Sequence, residues 1–140
     1  MARIIAIDYG SKRVGIAVTD ELQIIASGLT TVHSTEIIAF LEDYFSKHEV
    51  ECIVVGEAKD LQNNPSESAK VIEPFVKHLS RKFKDKKIAR VDERFTSKIA
   101  FQTMIDSGLK KKARQNKALV DEISATIILQ SYMDQQSNRF

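Results

Sequence analysis

Cysteine, proline and net charge are all scarce in this chain of 140 residues, and each scarcity removes a class of protein. Cys52 is the only cysteine. Neither an internal disulfide nor a cysteine-based zinc site can therefore form within one chain, and Cys52, set in an apolar run, reads as core. Only two prolines occur, Pro65 and Pro74. With no linker rich in Pro, Gly or Ser, no repeat and no low-complexity tract, residues 1–140 are expected to form a single domain. No apolar run approaches the roughly eighteen residues of a membrane helix, and the opening MARIIAIDYG lacks the apolar core and cleavage site of a secretory signal, so a cytoplasmic protein is expected. Twenty-one Lys and Arg against nineteen Asp and Glu leave a formal charge of +2, too little to mark a nucleic-acid binder by bulk charge alone.

Several catalytic signatures are missing as well. Gly10 and Gly15 have the spacing of a P-loop, but Ile16 and Ala17 stand where Lys and Ser or Thr hold phosphate and magnesium. His33, His48 and His78 show no H-E-x-x-H spacing, and no G-x-S-x-G elbow occurs, which removes the zinc protease and serine hydrolase readings. No aromatic residue interleaves with the basic segment GLKKKARQNKALVD to make a base-stacking platform.

What is present is an ordinary globular composition, 43% apolar and 29% charged, in a chain long enough to bury about two-thirds of its unfolded surface. Ile4 to Ile7 is continuously apolar, as a central strand covered on both faces requires, and Val14, Ile16 and Val18 alternate with small residues. Gly10, Ser11 and Lys12 lie between these two strands and form a hairpin connection. A third strand is expected near Ile24 to Leu29. Ile37, Ile38, Leu41, Tyr44 and Phe45 recur at helical spacing behind Ser34 and Thr35, either of which can cap the helix start.

Cys52 to Val55 makes a strand closed by Gly56, followed by a polar loop from Glu57 to Ser66. Ala69, Ile72, Phe75, Val76 and Leu79 form a second helical stripe, in which Pro74 is expected to kink or shorten the helix. A strand over Ile88 to Val91 precedes a helix containing Ile99 and Met104, capped by Thr96 or Ser97 and ended by Gly108. A final helix carries Leu119, Ile123 and Ile127. Three adjacent strands followed by alternating helices and strands imply a mixed α/β fold with parallel strands joined by helical crossovers.

In open α/β sheets, sites form outside the carboxyl ends of the strands. Asp8 stands at the end of the first strand, and Glu93 follows Ile88–Val91 in the run VDERFTS. Asp121 opens the last helix in ALVDEISATIILQ. Ser124, Ala125 and Ile128 share its helix face, which can approach a sheet closely and leave the carboxylate at the rim. Three converging carboxylates raise one another's pKa unless a cation compensates, and an oxygen donor set with room for water and a phosphate suits Mg²⁺, with Mn²⁺ as a substitute. Two such ions can bracket a phosphodiester, one activating water and the other stabilising the leaving oxygen. Each acid alone also has a plainer use: Asp8 can close a turn, Glu93 can pair with Arg94, and Asp121 can favour a helix start.

The blocks IDYGSKRVGIAVTD, IVVGE, DERFTS and ALVDEISATIIL, in this order and spacing, resemble the YqgF family over nearly the whole chain. That family is classed among Holliday junction resolvases and linked to maturation of the 5′ end of the small-subunit ribosomal RNA precursor. The resemblance implies a ribonuclease H-like fold, a five-stranded mixed sheet with its first three strands antiparallel, the others parallel, and helices on both faces. It assigns Asp8, Glu93 and Asp121 as the metal-binding catalytic trio, and favours RNA over branched DNA as substrate. The chain departs from the commoner family pattern at Glu57 and Ala58 after Gly56 and in the loop QNNPSES, where Glu57 or Asp60 could add a ligand.

Lys12, Arg13 and Arg94 are placed to contact phosphates, and Lys110, Lys111, Lys112, Arg114 and Lys117 precede the helix of Asp121 as a clamp over a nucleic-acid backbone. Salt-bridged or solvated surface is the plainer reading of these cations, and of a second cluster at Arg81, Lys82, Lys84, Lys86 and Lys87. Length argues against a nucleotide-binding lobe of the actin and sugar-kinase type, since those ATPases need two such lobes, and ATP binding by calorimetry would reopen that reading. Two alternatives stay open: a Holliday junction resolvase acting on DNA, for which a homodimer is favoured over a monomer, and a non-catalytic RNA-binding module.

Overall fold

The computed structural model describes residues 2–57, 69–92 and 117–137. Five strands, β1 (Arg3–Tyr9), β2 (Arg13–Thr19), β3 (Ala26–His33), β4 (Val50–Glu57) and β5 (Lys87–Asp92), form one sheet in the order β3-β2-β1-β4-β5. The pairs β1–β2 and β2–β3 are antiparallel, and β1–β4 and β4–β5 are parallel. The described helices are α1 (Ile37–Lys47), α2 (Ala69–Lys82) and α3 (Lys117–Ser137). The expected sheet, with its antiparallel first three strands, is the one observed. The expected helix around Ile99 and Met104 and most of the loop after Glu57 lie outside the described residues.

Alternation along the strands divides the core in two. Ile5, Ile7, Val14, Ile16, Ile53 and Val55 face α1 and α2, meeting Ile37, Leu41, Phe75 and Leu79. Ile4, Ala6, Ala17, Cys52 and Val54 face α3, meeting Ala125, Ile128, Leu129 and Tyr132. The second face carries Ala6, Ala17 and Ala125 among its larger residues, whereas the first is built of large branched and aromatic ones, so α3 can approach β1 and β2 closely. Cys52 is buried as expected, and burial pushes its thiol pKa up.

Two local expectations are corrected. The third strand begins at Ala26 rather than Ile24, because a turn occupies the residues before it. Asp20 Oδ1 accepts the N–H groups of Ile24 and Ile25, both at 2.8 Å, and Gln23 adopts the left-handed φ of 57°. Those backbone bonds, led by that of Ile25, hold the Asp20 carboxyl below its usual range. Neither Ser34 nor Thr35 caps α1. A 3-10 turn over Ser34–Glu36 precedes it, capped by His33, whose Nδ1 accepts the Thr35 N–H at 3.2 Å. Pro74 lies inside α2, which nevertheless continues to Lys82.

Arg90 fastens α2 to the ends of the parallel strands. It forms a two-pronged pair with Glu73, at 2.9 and 2.8 Å, and donates to the carbonyls of Val55 and Gly56, both at 3.3 Å. The bond from Arg90 holds the Glu73 carboxyl below its ordinary value. A depressed carboxyl contributes stability that is complete above the ordinary glutamate range and lost as pH falls through the lowered value. Glu73→Gln is therefore expected to lower the unfolding free energy by about 0.5–1 kcal/mol at neutral pH, the modest size reflecting the solvent around Glu73. Urea titrations of the two proteins should converge in acid.

Candidate active site

The hairpin between β1 and β2 is closed by the Gly10 N–H donating to the Arg13 carbonyl at 2.9 Å. A Cβ on Gly10 would stand 2.7 Å from that carbonyl oxygen, so glycine is needed there. The loop is held from outside as well. The Ser34 N–H donates to the Lys12 carbonyl at 3.1 Å, and Ser34 Oγ to the Ser11 carbonyl at 2.7 Å. Ser34, expected as a helix cap, thus braces the loop that carries Lys12 and Arg13.

Asp8 is the register partner of Gly15 across β1 and β2, and its place in the alternation, after Ile4 and Ala6, puts it on the α3 face. α3 presses on Gly15: a Cβ there would come within 2.1 Å of the Asp121 carbonyl oxygen and 3.0 Å of the Asp121 Cβ. Directly paired residues have β-carbon positions about 5 Å apart. Asp8 and Asp121 therefore occupy neighbouring positions, at the carboxyl end of β1 and the early turns of α3. Ser124, Ala125 and Ile128 are buried beneath the helix, as its small-residue face predicts.

Asp121 carries a cation of its own. Arg13 Nε donates to Asp121 Oδ2 at 2.8 Å, with the Arg13 side chain 45% exposed and that of Asp121 only 19%. The sequence reading placed both residues in the site without pairing them. Gly15 was also readable: an isolated glycine inside a strand marks a close backbone approach.

β4 and β5 run parallel to β1 and end at the same edge, where Glu57 and Asp92 are register partners. Both fall on the alternation of Ile53, Val55, Ile88 and Arg90, the face away from α3. Glu93, Arg94, Asp60, Lys110, Lys111, Lys112 and Arg114 lie outside the described residues, as does the Lys117 side chain. Among the described residues no three His, Cys, Asp or Glu side chains converge to hold a metal ion.

The second basic cluster lies around the amino end of β5 and engages the protein itself. Lys82 pairs with Glu42 at 2.6 Å, Lys86 with Asp85 at 3.0 Å, and Lys87 donates to the Tyr132 hydroxyl at 3.3 Å. The plainer reading fits these three. A cavity of about 360 Å³ opens beside Lys87, lined also by Glu51, Cys52 and Tyr132, at the sheet edge opposite Asp8.

Residues 2–135 match the family described as "RuvX: Holliday junction resolvase". The chain belongs to the RuvX family. A relative from Flavobacterium johnsoniae, named "Putative pre-16S rRNA nuclease", is 64% identical over 140 residues, covering 100% of each chain. Among solved structures, the Fowlpox virus resolvase bound to Holliday junction DNA superposes with a TM-score of 0.57 at 13% identity, covering 96% of this chain and 98% of that one. RuvC from T. thermophilus, bound to a Holliday junction substrate, superposes with a TM-score of 0.56 at 18% identity, covering 97% and 96%. These two likenesses establish the ribonuclease H-like fold. Membership of the RuvX family makes the chain a nuclease, a phosphodiester hydrolase. No described helix is long and apolar enough to cross a membrane.

Proposed function

We propose that this RuvX-family chain is a divalent-metal-dependent nuclease, a single domain over residues 1–140, that processes the 5′ end of the 16S ribosomal RNA precursor in the cytoplasm. The observation that carries the proposal is the seating of Asp121 on Gly15, the register partner of Asp8. The name of the 64% identical relative supports the RNA substrate.

The residues suit a hard cation. Neighbouring carboxylates need a compensating positive charge, and the guanidinium at 2.8 Å already supplies one to Asp121. An all-oxygen donor set matches Mg²⁺ or Mn²⁺. Asp8 and Asp121 would hold the ion with Glu93, which follows β5 directly in sequence. Such an ion supplies activation of the attacking water and stabilisation of the leaving oxygen. The protein's own groups bind and orient the strand. Lys12 and Arg13 meet phosphates from a hairpin braced by Ser34, and Arg94, Lys110, Lys111, Lys112, Arg114 and Lys117 add backbone contacts that carry no base specificity.

The family description favours a second substrate, a four-way DNA junction, which a homodimer would cut. Incubating the purified protein with ribosomal RNA precursor and with such a junction, each with and without Mg²⁺, decides between them. Metal-dependent shortening of the RNA at its 5′ end is expected. Cleavage of the junction alone would move the assignment to DNA, and metal-indifferent binding without cleavage would leave a non-catalytic RNA-binding module.

A further inference from the structure

We propose that Arg13 is an exchangeable counterion that couples metal binding to substrate binding: it and a divalent cation compete for Asp121, and the cation's arrival releases the guanidinium to a phosphate of the nucleic-acid strand. The inference rests on the nuclease reading of the site.

The contact is one-pronged. Only Nε donates to Asp121 Oδ2, and among the described residues the two terminal nitrogens of Arg13 make no further hydrogen bond. Those nitrogens form the fork that matches a phosphate or carboxylate two-pronged. Arg13 approaches from the solvent side, since its side chain is far more exposed than that of Asp121. Its backbone is fixed, by the Gly10 bond to its carbonyl and by pairing with His33 in β3, so exchange needs only side-chain rotation.

A guanidinium cannot shed its charge by losing a proton. When a dication shares the Asp121 carboxylate, the two positive charges repel, and the half-exposed partner is the one free to leave. A strand laid along the hairpin offers a phosphate in its place. Linkage makes the effect reciprocal: a phosphate that draws Arg13 away tightens metal binding by the factor with which metal tightens phosphate binding. A plain orienting clamp predicts the reverse, since removing it would loosen Asp121 and weaken the metal site.

The test is Mn²⁺ titration, by calorimetry and by the paramagnetic resonance of free Mn²⁺, of the wild type, Arg13→Gln, Arg13→Ala and Asp8→Asn. Each is measured with and without a short single-stranded 2′-O-methyl oligonucleotide, and circular dichroism checks folding. Both Arg13 variants should bind Mn²⁺ about fivefold more tightly than the wild type, the factor corresponding to loss of a competing half-exposed ion pair. Because a phosphate can also ligate the ion directly, the oligonucleotide should tighten Mn²⁺ binding to every protein that keeps Asp8, and by about fivefold more in the wild type than in the Arg13 variants. Weaker or unaltered Mn²⁺ binding in the Arg13 variants, or an oligonucleotide effect of equal size in the wild type and the variants, overturns the exchange alone. Absence of Mn²⁺ uptake by the wild type, or uptake indifferent to Asp8→Asn, overturns the nuclease reading and the exchange with it.

Discussion

Asp121→Asn and Asp8→Asn are each expected to lower Mg²⁺-dependent cleavage about a hundredfold or more while leaving the protein folded. Loss of an outer partner of a metal ligand typically costs about ten- to a hundredfold in affinity or activity, and a proposed ligand should matter at least as much. The substitution keeps the volume and removes one negative charge, so the close seat of α3 on β2 is preserved. In Asp121→Asn the side-chain amide oxygen could still accept the bond that Arg13 Nε gives to Oδ2. The half-exposed ion pair contributes at most about 1 kcal/mol, so thermal unfolding should move little. Cleavage assays on the RNA precursor beside melting curves separate the two effects. Activity retained in both variants would remove these carboxylates from the mechanism.

Gly15→Ala should do the opposite, damaging stability first and activity as a consequence. The added methyl would meet the Asp121 carbonyl oxygen at 2.1 Å, and neither side can yield cheaply because both are backbone of regular elements. Overpacking of this kind costs about 1–3 kcal/mol and occasionally more, and rigid backbone on both sides favours the upper end. A loss of about 3 kcal/mol lowers the melting temperature by roughly 10 °C in a domain of this size. Relief by lifting α3 would carry Asp121 away from Asp8. Gly28→Ala is the control, because its nearest contacts would be the Thr126 hydroxyl at 3.4 Å and the Glu122 Cβ at 3.5 Å. If the two variants melt together, the tight seat of α3 does not exist.

The strands were legible because their apolar runs are short, continuous or alternating, and separated by polar turns; the alternation of strands with helices implied parallel crossovers, and the family resemblance implied the antiparallel first three strands. The errors arose where a side chain overrides local propensity. Asp20 ties up the backbone of Ile24 and Ile25 and delays β3, although both isoleucines suit a strand. His33 takes the capping role that Ser34 and Thr35 are better known for, because Ser34 is drawn across to the hairpin loop. Asp8 and Asp121 were found from strand ends and helix faces, which depend on spacing alone. Their connection through Gly15, and the Arg13 bond, depend on how α3 packs against the sheet, and 108 residues separate Arg13 from Asp121 in the chain.

The small-residue face beneath α3 also has a bearing on how variants of this protein should behave. Among the described residues, one helix is both the covering layer on that side and the carrier of a proposed reacting group, so Ala6, Ala17 and Gly28 act as spacers for the chemistry as well as filling for the interior. Randomised libraries on this side should show thermal resistance and turnover rising and falling together. On the side of α1 and α2, the two properties should vary independently.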